Sequence, residues 1–274
     1  MAAIRRQPTG RSFRKTVLSK LGRTLRTWLF TAPLIALATI VMGTLSMAAS
    51  LFDRSGNTQH GMARIWSRML LAIGFVRVKA EGLEKLDPSA SYVLASNHSS
   101  YFDTPVILAT VPLQFRFFAK KGLFSIPFLG THLQRAGHFP VARGDARASL
   151  KSMFEGARQI RSRSISVLLF PEGGRSEMAM RGFTEGAAYI AIKAGVPIVP
   201  VGIRGARKIL PMHSINVIPG RIQVWIGDPI PTAGMTLRDR GALNLTLQRR
   251  VSDLAGESTP VTASSPPDQA KGAC

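Results

Sequence analysis

Residues 92–105 read Tyr92-Val93-Leu94-Ala95-Ser96-Asn97-His98-Ser99-Ser100-Tyr101-Phe102-Asp103-Thr104-Pro105. The apolar run Tyr92 to Ala95 reads as a buried strand, which places His98 just past its carboxyl end. Asp103 ahead of Thr104-Pro105 has the form of a helix N-cap, with proline tolerated in the first turn. On one continuous helix His98 and Asp103 would lie about 140° apart and could not meet. A tight turn between strand and helix lets them meet. Asp103 would then hold one imidazole nitrogen and leave the other as a general base. The plainer alternative is a capping aspartate beside a loop histidine, and on this stretch alone it is the better reading. A metal site is weaker still, because His60, His132, His138 and His213 show no close ligand spacing with His98.

The same alternation of short apolar runs and helical patterns extends along the chain. Strand-like runs fall at Phe115 to Ala119, Ile165 to Phe170, Ile198 to Ile203 and Ile222 to Ile226, and helical patterns at Thr104 to Ala109, Ala146 to Ser162 and Thr184 to Ala194. Gly195 closes the last as a C-terminal cap. The pattern predicts an α/β fold, with a mostly parallel or mixed sheet flanked by helices over residues 76–254. Ligand sites in such sheets lie beyond the carboxyl ends of strands. The 255–274 segment, rich in Ser, Pro, Thr, Gly and Ala, reads as a disordered tail.

The 274 residues carry a formal net charge of +21 and one cysteine, Cys274. That excludes a disulfide framework and a cysteine-ligated zinc site, and it points to an anionic partner. Residues 1–26 form a basic arm with Arg5, Arg6, Arg11, Arg14, Lys15, Lys20, Arg23 and Arg26 and no acid. Thr27 to Phe52 then carries no charge. As a helix it would be about 39 Å long, against a hydrocarbon core of about 30 Å. A second apolar segment, Gly61 to Val78, follows a polar loop at Asp53 to His60. Residues 27–75 are therefore expected to form a membrane-associated helical hairpin that dips in and returns, with the basic arm beside anionic headgroups on the cytoplasmic side. The rival is a single span followed by a surface helix.

Two further stretches carry polar chemistry, and a third reads as structural, shaping a pocket wall. Phe170-Pro171-Glu172-Gly173-Gly174-Arg175-Ser176 follows an apolar run; its glycines let backbone approach a ligand, and Arg175 offers a fork matched to phosphate. Arg143 precedes a helix, an arrangement suited to an anion, although a surface pair with Asp145 is as good a reading. Val196-Pro197-Ile198-Val199-Pro200-Val201 reads as an edge strand or one near a bulge. No Gly-x-Ser-x-Gly elbow, Walker loop, dinucleotide fingerprint or nucleic-acid-binding motif is present.

In order and spacing, NHSSYFD, the Arg143 segment, FPEGGRS and VPIVPV resemble the four blocks of the glycerolipid acyltransferases, above all the 1-acyl-sn-glycerol-3-phosphate acyltransferase family. The resemblance spans residues 76–230. It implies that His98 is the base and Asp103 its orienter, and that Lys120, Arg143, Glu172, Gly173 and Arg175 bind the acceptor's glycerol phosphate. It also implies acyl transfer from acyl-CoA or acyl-carrier protein to the 2-hydroxyl of a lysophosphatidate, with membrane lipids as partners and no metal, cofactor or nucleic acid. The expected location is the bacterial inner membrane, with the catalytic domain on the cytoplasmic side. Gly174 stands where the family has threonine, and Pro140-Val141-Ala142 precede Arg143 where an Ile/Phe-Ile-Asp run is common. Both departures fall in blocks that shape the acceptor pocket. The alternatives are a different lysolipid acceptor, such as a lyso-ornithine lipid, or a non-catalytic membrane-anchored anion binder.

Overall fold

The computed structural model describes residues 21–126, 128–142 and 145–257. Most of the basic arm, Arg143 and the tail beyond residue 257 lie outside those residues.

Seven strands form one sheet: β1 (Val76–Glu81), β2 (Val93–Ser96), β3 (Phe115–Lys120), β4 (Phe139–Val141), β5 (Ser166–Leu169), β6 (Ile198–Arg204) and β7 (Gly220–Ile226). Their order across the sheet is β1-β7-β6-β2-β5-β3-β4. All neighbours are parallel except the antiparallel pair β6/β7. The sheet is thus mixed, and β2, β5 and β6 deliver their carboxyl ends to one rim.

The apolar runs are continuous because both faces are covered. Leu94 and Leu168 face a core with Val106 and Ile107 of α3 (Asp103–Thr110). Val93, Ala95 and Val167 face a second core with Ile160 of α5 (Ala146–Arg163), Ile190 of α6 (Gly186–Ala194) and Leu247 of α8 (Arg240–Ala255). Each fully buried aliphatic side chain contributes about 1.5–3 kcal/mol. Between α3 and α5 lies α4 (Leu129–Arg135), and the short α7 (Ala206–Ile209) follows β6.

The chain enters through α1 (Leu21–Ala49), which contains a π-helical stretch at Thr27–Thr31 and is long and apolar enough to cross a membrane. Trp28, Leu29, Phe30, Leu37 and Ile40 are exposed on it. It turns back into α2 (Asn57–Ile73), and Trp66 Nε1 donates to Thr39 Oγ1 at 3.1 Å across the pair. The buried Arg116 guanidinium of β3 fixes the turn by donating to Ser55 O and Asn57 Oδ1 at 3.1 and 2.8 Å.

Four expectations change. The apolar segment read as Gly61 to Val78 divides: helix α2 stops at Ile73, Phe75 takes a positive φ of 55°, and Val76 and Val78 alternate along β1. The loop expected at Asp53 to His60 is shorter, because α2 already begins at Asn57. The run VPIVPV is not at an edge, since β6 lies between β7 and β2. Its proline is tolerated because Ile198 N donates to Ile230 O, while the β7 ladder starts only at Val201. The nitrogen of Pro200, on the same side as that of Ile198, falls in the break between them, where no donor is needed. Finally, α8 runs through Ala255, one residue into the expected tail. It packs so tightly on β6 that a Cβ on Gly202 would stand 2.5 Å from the Leu254 backbone.

Candidate active site

The loop after β2 is held from three sides. Asn97, 1% exposed, pairs with the β6 backbone: its Nδ2 donates to Ile203 O at 3.0 Å and its Oδ1 accepts from Ile203 N at 2.8 Å. Ser100 Oγ donates to Leu210 O at 3.0 Å. His98 is gripped on both sides of its backbone by the loop after β5. Its N–H donates to Glu172 Oε1 at 2.6 Å, and its carbonyl accepts from Ser176 N at 3.0 Å.

His98 and Asp103 meet. The His98 Nδ1 lies 2.9 Å from Asp103 Oδ2, with the imidazole 11% exposed and the carboxylate fully buried. The same Oδ2 accepts from Ser99 N at 2.6 Å and Ser100 N at 2.7 Å. Asp103 is therefore not the N-cap of α3; Phe102 holds that place, and the carboxylate instead closes the turn before it. Binding Nδ1 in this way fixes the tautomer, with the proton on Nδ1 and the lone pair on Nε2. The Phe170 ring stacks on the imidazole with centroids 4.0 Å apart and planes at 15°, which fixes the ring's tilt.

The FPEGGRS loop lies beside this pair because β5 is the immediate neighbour of β2. Gly173 has φ of +68°, in the left-handed region that favours glycine, and its N–H donates to Phe170 O at 3.0 Å. Glu172, 8% exposed, commits both carboxylate oxygens to backbone: Oε1 to His98 N and Oε2 to Arg181 N at 2.8 Å. Burial pushes its pKa up to about 7, opposed by those two amides and reinforced by the charges of Glu257 and Asp103. Glu172 thus braces two loops, a role the sequence did not suggest. The Arg175 guanidinium lies over the half-exposed Tyr101 ring at 3.8 Å from its centroid.

The structure brings His98, Asp103, Glu172, Gly173 and Arg175 to one place. Lys120 is exposed at the end of β3, on the same rim but two strands from β2. The fifth expected anion ligand, Arg143, is outside the described residues. Among the described residues no group of three or more His, Cys, Asp or Glu is arranged to hold a metal ion. Sequence reasoning missed Asn97, Phe170, Tyr101 and Ser176. The available signal was position alone: each lies inside one of the two chemically loaded loops.

A buried, hydrogen-bonded His–Asp pair beside an arginine-bearing glycine loop defines a class that comparison makes specific. Residues 77–204 match the acyltransferase family model. Within it, the chain is similar to 1-acyl-sn-glycerol-3-phosphate acyltransferases. It is 34% identical over 176 residues to the chloroplastic LPAT1 of Arabidopsis thaliana, covering 62% of this chain and 48% of that protein. It is 30% identical over 184 residues to the human alpha enzyme, covering 66% and 65%. The chain spans about half the length of the plant relatives it matches, 48% and 53%. The crystal structure of the 1-acyl-sn-glycerophosphate acyltransferase PlsC from Thermotoga maritima shares the fold, with a TM-score of 0.69 over 86% of this chain and 99% of that one, at 23% identity.

Proposed function

We propose that this protein transfers an acyl chain from a thioester, acyl-CoA or acyl-carrier protein, to the 2-hydroxyl of 1-acyl-glycerol-3-phosphate, giving phosphatidate for phospholipid biosynthesis. The observation that carries the reading is the His98–Asp103 contact at 2.9 Å, clamped to the loop that bears Arg175. His98 Nε2 takes the hydroxyl proton as the oxygen attacks the thioester carbon. Asp103 stabilises the imidazolium, which returns the proton to the departing thiolate as the C–S bond breaks. General-base help of this kind is worth about 10²–10⁴-fold. The thioester is already activated, so no covalent enzyme intermediate is required.

The amides of His98, Ser99, Ser100 and Gly173 are committed within the loops. In this reading Gly174, at the crest of FPEGGRS, supplies the amide for the oxyanion. Arg175, with Lys120 and Arg143, takes the acceptor phosphate, while Glu172 holds the catalytic loop rather than the ligand. Helix α1 keeps the enzyme at the bilayer where both lipids reside, with the catalytic domain on the cytoplasmic side of the bacterial inner membrane.

Purified full-length protein in detergent, given acyl-CoA and either 1-acyl-glycerol-3-phosphate or a lyso-ornithine lipid, tests the reading. Phosphatidate formation supports it, and acylation of the lyso-ornithine lipid alone refutes the acceptor.

A further inference from the structure

Helix α5 buries Gly156, Ala157 and Ile160 against the sheet. Its opposite face carries Arg147, Leu150, Lys151, Phe154, Arg158 and Arg161, all exposed. At 100° per residue these six side chains fall within an arc of about 100°, and they extend along about 21 Å of helix. Phe154, near the centre of the stripe, is 53% exposed, and Leu150, at its edge, is 50% exposed. Glu155 pairs with Arg158 at 2.8 Å and so offsets one of the four cations. Arg147, Lys151 and Arg161 have no ion pair among the described residues. An aromatic anchor rimmed by cations is how a surface recognises an acidic protein with an apolar patch.

We propose that this outer face of α5 is the docking surface for an acidic acyl-carrier protein acting as the thioester donor, an inference that rests on the acyl transfer proposed above. Two features favour a soluble protein over the bilayer. The sheet lies between the stripe and the hairpin: α5 packs in the core with α6 and α8, whereas Leu71 of α2 joins α3 in the core on the other face. The stripe also begins at the right rim. Helix α5 starts five residues after the carboxyl end of β4, and β4 lies three strands from β2. At about 4.8 Å per strand that is about 14 Å from the strand that bears His98. A carrier seated along α5 would reach the rim with its flexible pantetheine arm. Free coenzyme A has the arm but no protein surface to cover Leu150 and Phe154.

The test compares two donors carrying the same acyl chain, acyl-carrier protein and CoA, on full-length enzyme in detergent. Two variants are made: the triple charge reversal R147E/K151E/R161E, and Phe154→Ala. Binding of fluorescently labelled apo acyl-carrier protein is measured separately by anisotropy. The expected result is a loss of at least about tenfold in kcat/KM with the carrier donor for both variants, less than about twofold change with acyl-CoA, and weaker carrier binding that salt also abolishes. Equal losses with both donors would overturn the proposal, since the face would then only supply a field for anions. So would unchanged carrier kinetics, or carrier binding that the variants do not alter. If wild-type protein acylates lysophosphatidate with neither donor, the proposed reaction fails, and the anisotropy arm still decides whether α5 binds a carrier.

Discussion

Replacing Asp103 by asparagine separates the two roles of its carboxylate, holding the turn and countering charge on His98. Oδ2 accepts three hydrogen bonds, from His98 Nδ1, Ser99 N and Ser100 N, while Oδ1 has no partner among the described residues. An asparagine must therefore keep its oxygen on the three donors, because the flipped amide would face them with N–H. Geometry survives and the charge is lost. An imidazolium and a carboxylate about 4 Å apart between charge centres interact by about 4 kcal/mol at an effective dielectric of 20. The removal of that term corresponds to about 10³-fold in rate. Stability should fall by only about 1–2 kcal/mol, because the two loop amides keep an acceptor that is neutral rather than charged. The assay follows thiol release from acyl-CoA with a chromogenic disulfide, beside a urea titration. A folded Asp103→Asn enzyme retaining more than about a tenth of wild-type kcat would refute the reasoning, leaving Asp103 as scaffolding for the turn.

Three other outcomes are expected. The pKa of Glu172 is raised from 4.5 to about 7, so its contribution to stability is fully present below about 4.5 and is lost as pH rises through about 7. The stability of wild type relative to Glu172→Gln should therefore drop by about 3 kcal/mol between pH 4.5 and 8, and parallel pH profiles of the two proteins in urea would contradict this. Tyr101→Leu removes the ring under Arg175 and should raise the acceptor KM by about 2–30-fold through a lost cation–π contact, with the donor KM unchanged. Tyr101→Phe should restore it, and identical kinetics for the two variants would rule the contact out. Asn97→Ala leaves the buried Ile203 amide without its acceptor and should cost about 1–3 kcal/mol in a urea titration; a change within error would show that β6 does not depend on that bond.

The sheet was legible because it rests on local pattern. Leu94 and Leu168 alternate with Val93 and Val167 between two cores, so their runs read as buried strands. The stretch SNHSSYFD by itself allowed His98 and Asp103 to meet but read better as a helix cap beside a loop histidine; the company of the other three blocks pointed to the pairing, and the two side chains do meet at 2.9 Å. What was not legible depends on distant partners. Pro200 looked like an edge marker until the break between β7 and Ile230 showed where its missing N–H falls. Asp103 looked like a helix cap because its oxygen does accept backbone amides, but from residues before it. Glu172 looked like a ligand-binding carboxylate, and only tertiary structure shows that both its oxygens are spent on His98 and Arg181. Strand β1 was hidden behind an apolar helix because Val76 and Val78 continue its hydrophobicity with a different period.

In the proposed reaction everything turns on His98 deprotonating the acceptor hydroxyl. The most direct test is mass-spectrometric measurement of phosphatidate made from 1-acyl-glycerol-3-phosphate and acyl-CoA by wild-type and His98→Ala protein of equal thermal stability. If His98 is the base, the wild type makes phosphatidate and the variant makes it about 10²–10⁴-fold more slowly. A His98→Ala rate within about threefold of wild type would contradict it.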